Sequence, residues 1–530
     1  LNSGLWESIL ILPTGGQPIT VSASVNPGSA LINFNGADYV TIDGLNSGGN
    51  SLTFSNTTVS SVWGTSTIRF ENKTNNNVVT RCTVLGSSTS ISAGANIYFG
   101  TTTSPGPGNN FNSISYCNIG PAGTNLPASG ITSFGTIGYN NTGDTIRNCN
   151  IYDYFSSADS SAGIFLPLYN SGFVIKDNKF YQTSLRTQTI GAPHAAVSIF
   201  NSYGSNFTIS GNKIGYSTSS GTGLYSFTGV GNSFFYGINA ENPFFASMDI
   251  HNNTVAGISI SGSMTMHSVK LINVNNCVSA NITGNTNTNY NMIYGISCYT
   301  QNSAAVNGNT IGSITASNSD PSGGCQIYAI SITAPAAICN YNNIGGRIPN
   351  SIYTVTTSTI PNTSVYGILC NSEALISGNT ITNLTSEGGN SGGVYPQVVG
   401  ISGSNTISQN FIYGLSCSAM FGRIVGISGS GLISRNIIHS FSSPDTATTF
   451  IGISSINSGT VQNNMLRFGL DTSGNSMNTG CTIYGLHDEN GSNFYFNSIY
   501  IGGTATSGTS NTYCLKSKVQ NSTRNYLNNI

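Results

Sequence analysis

A six-residue pattern, I-x-x-N-x-I, returns along most of this chain and constrains its fold more than any other feature. It reads Ile209-Asn212-Ile214, Ile250-Asn253-Val255, Val306-Asn309-Ile311, Ile376-Asn379-Ile381, Ile407-Asn410-Ile412, Ile433-Asn436-Ile438 and Val461-Asn464-Leu466. An amide held between apolar residues once per few tens of residues marks stacked coils, because each unit buries its apolar face only against its neighbours. The slot begins with three cysteines and continues as asparagine: Cys82, Cys117, Cys149, Asn178, Asn212, Asn253, Asn285, Asn309, Asn342, Asn379, Asn410, Asn436, Asn464 and Asn497. From first to last it runs 415 residues in 13 intervals, about 32 residues each.

A second element accompanies it, a small or aromatic residue followed by Gly-Ile, as in Tyr236-Gly237-Ile238, Tyr294-Gly295-Ile296, Tyr366-Gly367-Ile368, Gly400-Ile401 and Gly426-Ile427. Ile401 to Asn410 and Ile427 to Asn436 are nine residues each; Ile368 to Asn379, Ile453 to Asn464 and Leu486 to Asn497 are eleven. That constancy predicts one strand, one fixed bend and a second strand per coil. The alternation is that of strands, and neither the L-x-x-L-x-L frame of leucine-rich repeats nor the hairpin turns of a propeller blade is present. The expectation is an all-β parallel β-helix of about 14 or more coils over a single domain, residues 1–530, with 1–60 as opening or capping coils. Fourteen coils at the spacing of paired strands stack to roughly 60 Å. An inward amide could donate to one neighbour and accept from the other, forming an internal ladder.

Composition narrows the function classes. Only 6% of the 530 residues are charged, 16 basic and 17 acidic, for a formal net charge of −1. An ordinary domain carries roughly 25%. Without a basic stripe, no nucleic-acid partner is expected. No apolar run approaches the ~18 residues of a spanning helix, so no membrane insertion is expected either. The eleven cysteines follow no C-x-x-C spacing and read as buried thiols, although stacking would bring Cys82, Cys117 and Cys149 near bridging distance. The five scattered histidines give no metal-ligand spacing, and no cofactor is called for. The chain opens at Leu1 and stops at Ile530 within a coil-like stretch, which reads as a segment of a longer polypeptide.

Residues 32–58, INFNGADYVTIDGLNSGGNSLTFSNTT, followed by Ile68-Arg69-Phe70 and by Asn77 to Val84, resemble the large surface proteins that some Gram-negative bacteria export through the type IX system. The resemblance is close over the first ~85 residues and holds beyond them at the level of coil pattern. It implies a right-handed β-helix of the pectate-lyase-like kind, an extracellular or outer-surface location, and an adhesive or structural role. Asp144-Thr145-Ile146 and Asp445-Thr446-Ala447 resemble the O-glycan acceptor of that bacterial group, which makes Thr145 and Thr446 candidate modification sites.

Polysaccharide lyases and hydrolases also use this architecture, and architecture alone does not decide chemistry. The N-T-D, D-D, G-H-G and R-I-K signatures of polygalacturonases are absent. Two clusters of ionisable residues remain. One spans coils three to five: Asp144, Arg147, Asp153, Lys176, Asp177, Lys179, Arg186 and His194. The other is His487-Asp488-Glu489, where strand alternation sets His487 and Glu489 on one face, suited to acid–base work or to metal binding. Both read first as solvated charges, so Asp153, Asp177, His487, Asp488 and Glu489 are weak catalytic candidates. Loop aromatics, Tyr152, Tyr154, Phe155, Tyr225, Phe234, Phe235 and Tyr236, are candidates for stacking on sugars. The sequence thus predicts a secreted spacer, adhesin or filament component. Its expected partners are extracellular glycans or cell-surface components, and other copies through the coil ends. A carbohydrate-active β-helix enzyme is the alternative.

Overall fold

The computed structural model of the protein describes residues 7–100, 108–201, 203–230, 233–241, 247–262, 269–283, 286–287, 293–318, 325–346, 349–356, 363–388, 395–508, 511–520 and 524–530. It contains two compact units, Leu1–Ala280 and Asn281–Ile530. Both are parallel β-solenoids without helix among the described residues, and together they comprise about 14 turns of roughly 33 residues.

In the first unit three strand columns run side by side. The Gly-Ile column includes Ser66–Glu71, Ala95–Gly100, Ser129–Phe134, Ser161–Leu168, Pro193–Phe200 and Phe234–Glu241. A second column holds the residues just before the slot, among them Val78–Thr80, Ser113–Ser115, Thr145–Arg147 and Val174–Lys176. The third follows the slot, as in Thr83–Gly86, Asn118–Pro121, Asn150–Tyr152 and Lys179–Tyr181. Every pairing along the columns is parallel and joins equivalent positions of successive coils, for example Ile114↔Ile146 and Ile146↔Ile175.

The second unit uses the same columns with one difference. The predicted bend does not break the strand at either spacing: Gln397–Ser408 and Arg423–Ser434, of the nine-residue coils, and Ser364–Ser377 and Thr449–Gln462, of the eleven-residue coils, are each one continuous strand. The two nine-residue coils pair in constant register; a β-bulge-like shift between Gly429 and Gly431 takes up the two extra residues of the following eleven-residue coil. The third column, Thr380–Thr382, Phe411–Tyr413, Ile437–His439 and Met465–Phe468, corresponds to the last Ile of the hexapeptide.

The Gly-Ile dipeptide has a steric cause. A Cβ on Gly400 would lie 2.5 Å from the Gly426 carbonyl oxygen, and one on Gly426 would lie 2.6 Å from that of Gly452, so glycine sets the close approach of these coils, while Ala196, Leu271 and Ala329 hold the same position in others. Inward apolar residues stack into rows. Ile114, Ile146, Ile175 and Ile209 are fully buried in the first unit, as are Ile344, Ile381, Ile412 and Ile438 in the second. Each such side chain contributes about 1.5–3 kcal/mol on burial. Phe34, Phe70 and Phe99 add a ring stack with centroids 4.7 and 4.5 Å apart.

The residue before each described slot has a left-handed backbone, from Arg81 (φ 55°) and Tyr116 (φ 54°) to Gln409 (φ 57°) and Arg435 (φ 58°). That conformation costs a non-glycine residue about 1–2 kcal/mol. It turns the next side chain inward, where the stacked slot residues offset the cost.

Candidate functional site

In the second unit the slot forms an uninterrupted amide ladder from Asn309 through Asn342, Asn379, Asn410, Asn436, Asn464 and Asn497 to Asn529. The Asn410 N–H and Nδ2 both donate to Asn436 Oδ1, at 3.0 Å each, and Nδ2 also donates to the Ile376 carbonyl of the coil before. Asn379, Asn436 and Asn464 repeat that pattern. In the first unit Asn178 and Asn212 do the same, Asn212 donating to Asn253. Asn285 lies outside the described residues.

Cys82, Cys117 and Cys149 occupy the same slot as free, buried thiols. Cys117 Sγ lies 3.6 Å from the Val79 carbonyl and Cys149 Sγ 3.7 Å from that of Ile114, the acceptors that equivalent asparagines use. The bridge that stacking suggested is thus absent, with each sulfur turned to a main-chain oxygen. Burial raises the Cys117 pKa well above the ordinary thiol value.

A second inner column was not legible in the hexapeptide. It joins Asn77 to Asn112 and Asn112 to Asp144, with Asn112 N–H and Nδ2 donating to Asp144 Oδ1 at 2.8 and 3.1 Å. Asp144 is fully buried, its Oδ2 has no partner, and burial raises its pKa well above the carboxylic range. This corrects two expectations. Asp144 is not a surface charge of the coil three-to-five cluster, and Asp144-Thr145 is not an exposed acceptor, since Thr145 is half-buried between Ser113 and Val174. Thr446, by contrast, is exposed on a turn whose Asp445 accepts the Phe421 and Ala447 N–H groups.

Of that cluster, the fold brings together Asp153, Arg186 and His194. Asp153 follows the third-column strand Asn150–Tyr152 in a left-handed turn (φ 52°). Its carboxylate accepts from Thr183 N–H and Oγ1, at 2.8 and 2.7 Å, and pairs with Arg186. Arg186 lies on a small extra sheet, Arg186–Thr187, Tyr225–Gly229 and Ile258–Gly262, carried by the loops. This sheet was missed, although the alternation of Tyr225-Ser-Phe227-Thr is its signal. Arg186 Nε donates to Gln182 Oε1 at 2.5 Å, and Gln182 Nε2 reaches the Tyr154 carbonyl at 2.8 Å and Tyr225 Oη at 3.4 Å. Tyr225 Oη meets His194 Nε2 at 2.5 Å, and Ser161 Oγ meets His194 Nδ1 at 2.7 Å.

His194 is fully buried, stacked 5.2 Å from Phe227 and 5.6 Å from Tyr154. Burial, assisted by the Arg186 charge, holds its pKa down at about 3. It is therefore a neutral bridge between two hydroxyls. The loop aromatics are corrected accordingly: Tyr154, Tyr225 and Phe235 are buried around it and do not face solvent. Asp177 stands apart in the left-handed position before Asn178, half-exposed beside Lys176. Arg147 and Lys176 are neighbours on paired strands.

In the second unit His487 and Glu489 do share a face, with His487 Nδ1 3.2 Å from Glu489 Oε1. The contact is not aligned as a hydrogen bond, and both His487 ring nitrogens lack one. Burial lowers the His487 pKa, opposed by Glu489 and assisted by Lys518, Lys516 and Arg423. Asp488 points inward, fully buried. It accepts from Gly491 and Ser492 N–H on Oδ1 and from Tyr526 Oη and Ser517 Oγ on Oδ2. Glu489 accepts from Ser454 Oγ at 2.6 Å. Among the described residues no three His, Cys, Asp or Glu side chains group as a metal site requires.

No family model matches the chain, and no curated relative matches it. Among solved structures it is similar to the A-module of the Azotobacter vinelandii mannuronan C-5 epimerase AlgE6. The identity is 10%, over 86% of this chain and 91% of that one, with a TM-score of 0.25.

Proposed function

We propose that the protein is a rigid structural or adhesive β-helix of the outer cell surface, which holds its loops at fixed spacing and contacts extracellular glycans through them. One observation carries the reading: the buried carboxylates are spent on internal bonds. Asp43 is paired with Arg81; Glu71 with Arg69 and Asn33; Asp153 with Arg186 and Thr183; Asp488 with two N–H groups and Tyr526. Each of these four carboxylates is thereby used to tie a strand or loop to its neighbour. A chain with 6% charged residues and such ladders is suited to resisting deformation, since every coil is tied to both neighbours.

The alternative, a carbohydrate-active enzyme, has its best remaining candidates in His487 and Glu489, which share a face. Incubation with a panel of neutral and acidic polysaccharides separates the two. The expected outcome is retention of intact polymer with no shortened, unsaturated or epimerised product. Product formed by the wild type and lost in His487→Gln would overturn the structural reading.

A further inference from the structure

We infer that the cavity above Arg186 is a binding site for a short neutral saccharide. The cavity, about 410 Å³, is lined by Val59, Thr89, Asn125, Ser156 and Arg186, together with chain neighbours of these residues. Its volume falls in the roughly 300–1,000 Å³ of small-ligand sites. The proposal deepens the adhesive part of the reading above and rests on it.

Three features give the ligand class. First, Thr89, Thr124, Asn125, Ser157 and Thr187 are exposed at the cavity and both donate and accept hydrogen bonds. That is the double character a sugar hydroxyl needs. Second, Leu185, 57% exposed, and the buried Phe155 offer apolar surface to the C–H face of a pyranose ring. Third, the ionic group at the floor is already neutralised. Arg186 is 8% exposed and paired with Asp153, so a carboxylated sugar would meet no net positive charge while a neutral one forfeits nothing.

Arg186 supplies the fixed donor. Its Nε is held by Gln182 and one terminal nitrogen by Asp153, which leaves the other terminal nitrogen as the part of the fork that can serve a ligand. The residues behind it are locked in turn, through Gln182 to Tyr225 and from Tyr225 to His194 and Ser161. A donor immobilised before binding loses little entropy when a ligand arrives. That accounts for an arginine buried where shorter residues could have filled the loop. The sequence assigns sugar contact to the aromatics of this region; the structure uses Tyr154, Tyr225 and Phe235 as the packing beneath the site, while Phe155 lines it.

Saturation-transfer NMR and calorimetry on the full chain test the proposal. The probes are neutral di- and trisaccharides of glucose, galactose, mannose and N-acetylglucosamine, with digalacturonate as the acidic probe. At least one neutral probe is expected to bind, at least tenfold more tightly than digalacturonate. Thr124→Trp, at an exposed position, should weaken it tenfold or more with the melting temperature unchanged. Arg186→Lys, which keeps the charge beside Asp153 but loses the fork, should weaken it as well. Should that variant misfold, Thr124→Trp and Leu185→Asp still decide. Binding by no neutral probe, binding unchanged in Thr124→Trp, or preference for digalacturonate would each overturn the site. None of those results touches the scaffold reading, which fails on product release instead.

Discussion

The slot column is built in two ways. In the second unit it is asparagine from Asn309 to Asn529, and Asn410, for example, gives one main-chain and one side-chain hydrogen bond forward and one side-chain bond back. In the first unit its opening positions are Cys82, Cys117 and Cys149, whose thiols reach the same backward carbonyls at 3.6–4.0 Å and meet one another along the column without an amide bond forward. The forward connection there moves to another bend, where Asn77, Asn112 and Asp144 stack. The difference teaches that a coil needs one satisfied inward polar column but not a particular one. A thiol fills the slot as a small apolar group because the amide function is carried elsewhere.

The largest expected effect breaks the ladder where nothing substitutes for it. Asn410→Leu leaves the Asn379 N–H and Nδ2 without their acceptor and the Ile376 carbonyl without its donor. Each stranded buried group costs about 1–3 kcal/mol, so a loss of about 3–5 kcal/mol is expected. Cys117→Ala should cost only about 1–2 kcal/mol, as a small cavity does. Hydrogen exchange of the flanking amides measures both locally. Equal losses would mean that the two columns are energetically alike.

Acid sharpens the comparison through His194. The unfolded side chain titrates at about 6.5, whereas the folded one is held at about 3. Between those values the unfolded chain binds a proton that the folded chain does not. Stability of the first unit therefore falls as pH drops through 6.5 and levels off below about 3, by an amount on the order of several kcal/mol. His194→Gln should flatten the profile over that window. Urea unfolding at stepped pH compares the two, and parallel profiles would show that His194 is not a buried neutral bridge.

Asp144 has the opposite sign. Its folded pKa is raised, so the folded chain holds a proton that the unfolded one has released, and stability declines as pH rises above about 3.9. Asp144→Asn completes the Asn77–Asn112 column with an uncharged amide. It should stabilise the first unit by about 1–2 kcal/mol at pH 7 and by almost nothing near pH 3. A constant difference across that range would mean that the carboxyl is ionised in the native state.

The coil was legible because stacking repeats its constraint at every level: the slot, the Gly-Ile dipeptide and the inward isoleucines recur in one register. The column at Asn77, Asn112 and Asp144 was hidden because it lasts three coils and changes residue type, so no period announces it. His194 was singled out as an ionisable group and Tyr225 as a sugar-stacking aromatic, but Ser161 and Gln182 were not. Their contacts depend on an extra sheet inserted by loops of unequal length, and sequence spacing carries no information about where such a loop lands. Asp153 was found as a charge and misread as a solvated one, since only the tertiary structure shows that Arg186 and Thr183 close over it.

The smallest effect tests whether the thiol column can be converted. The Cys149 N–H already donates to Asn178 Oδ1 at 2.9 Å, as a ladder asparagine would. In Cys149→Asn the new Nδ2 would lie between that same oxygen and the Ile114 carbonyl, which the thiol now meets at 3.7 Å. One weak contact would become two amide bonds, a net gain of about 0.5–1 kcal/mol after the added volume is accommodated. The gain should appear as slower exchange of the Cys117, Cys149 and Asn178 amides. A loss would mean that the first coils are spaced for sulfur, so that the switch from Cys to Asn reflects geometry and not the migration of the polar column.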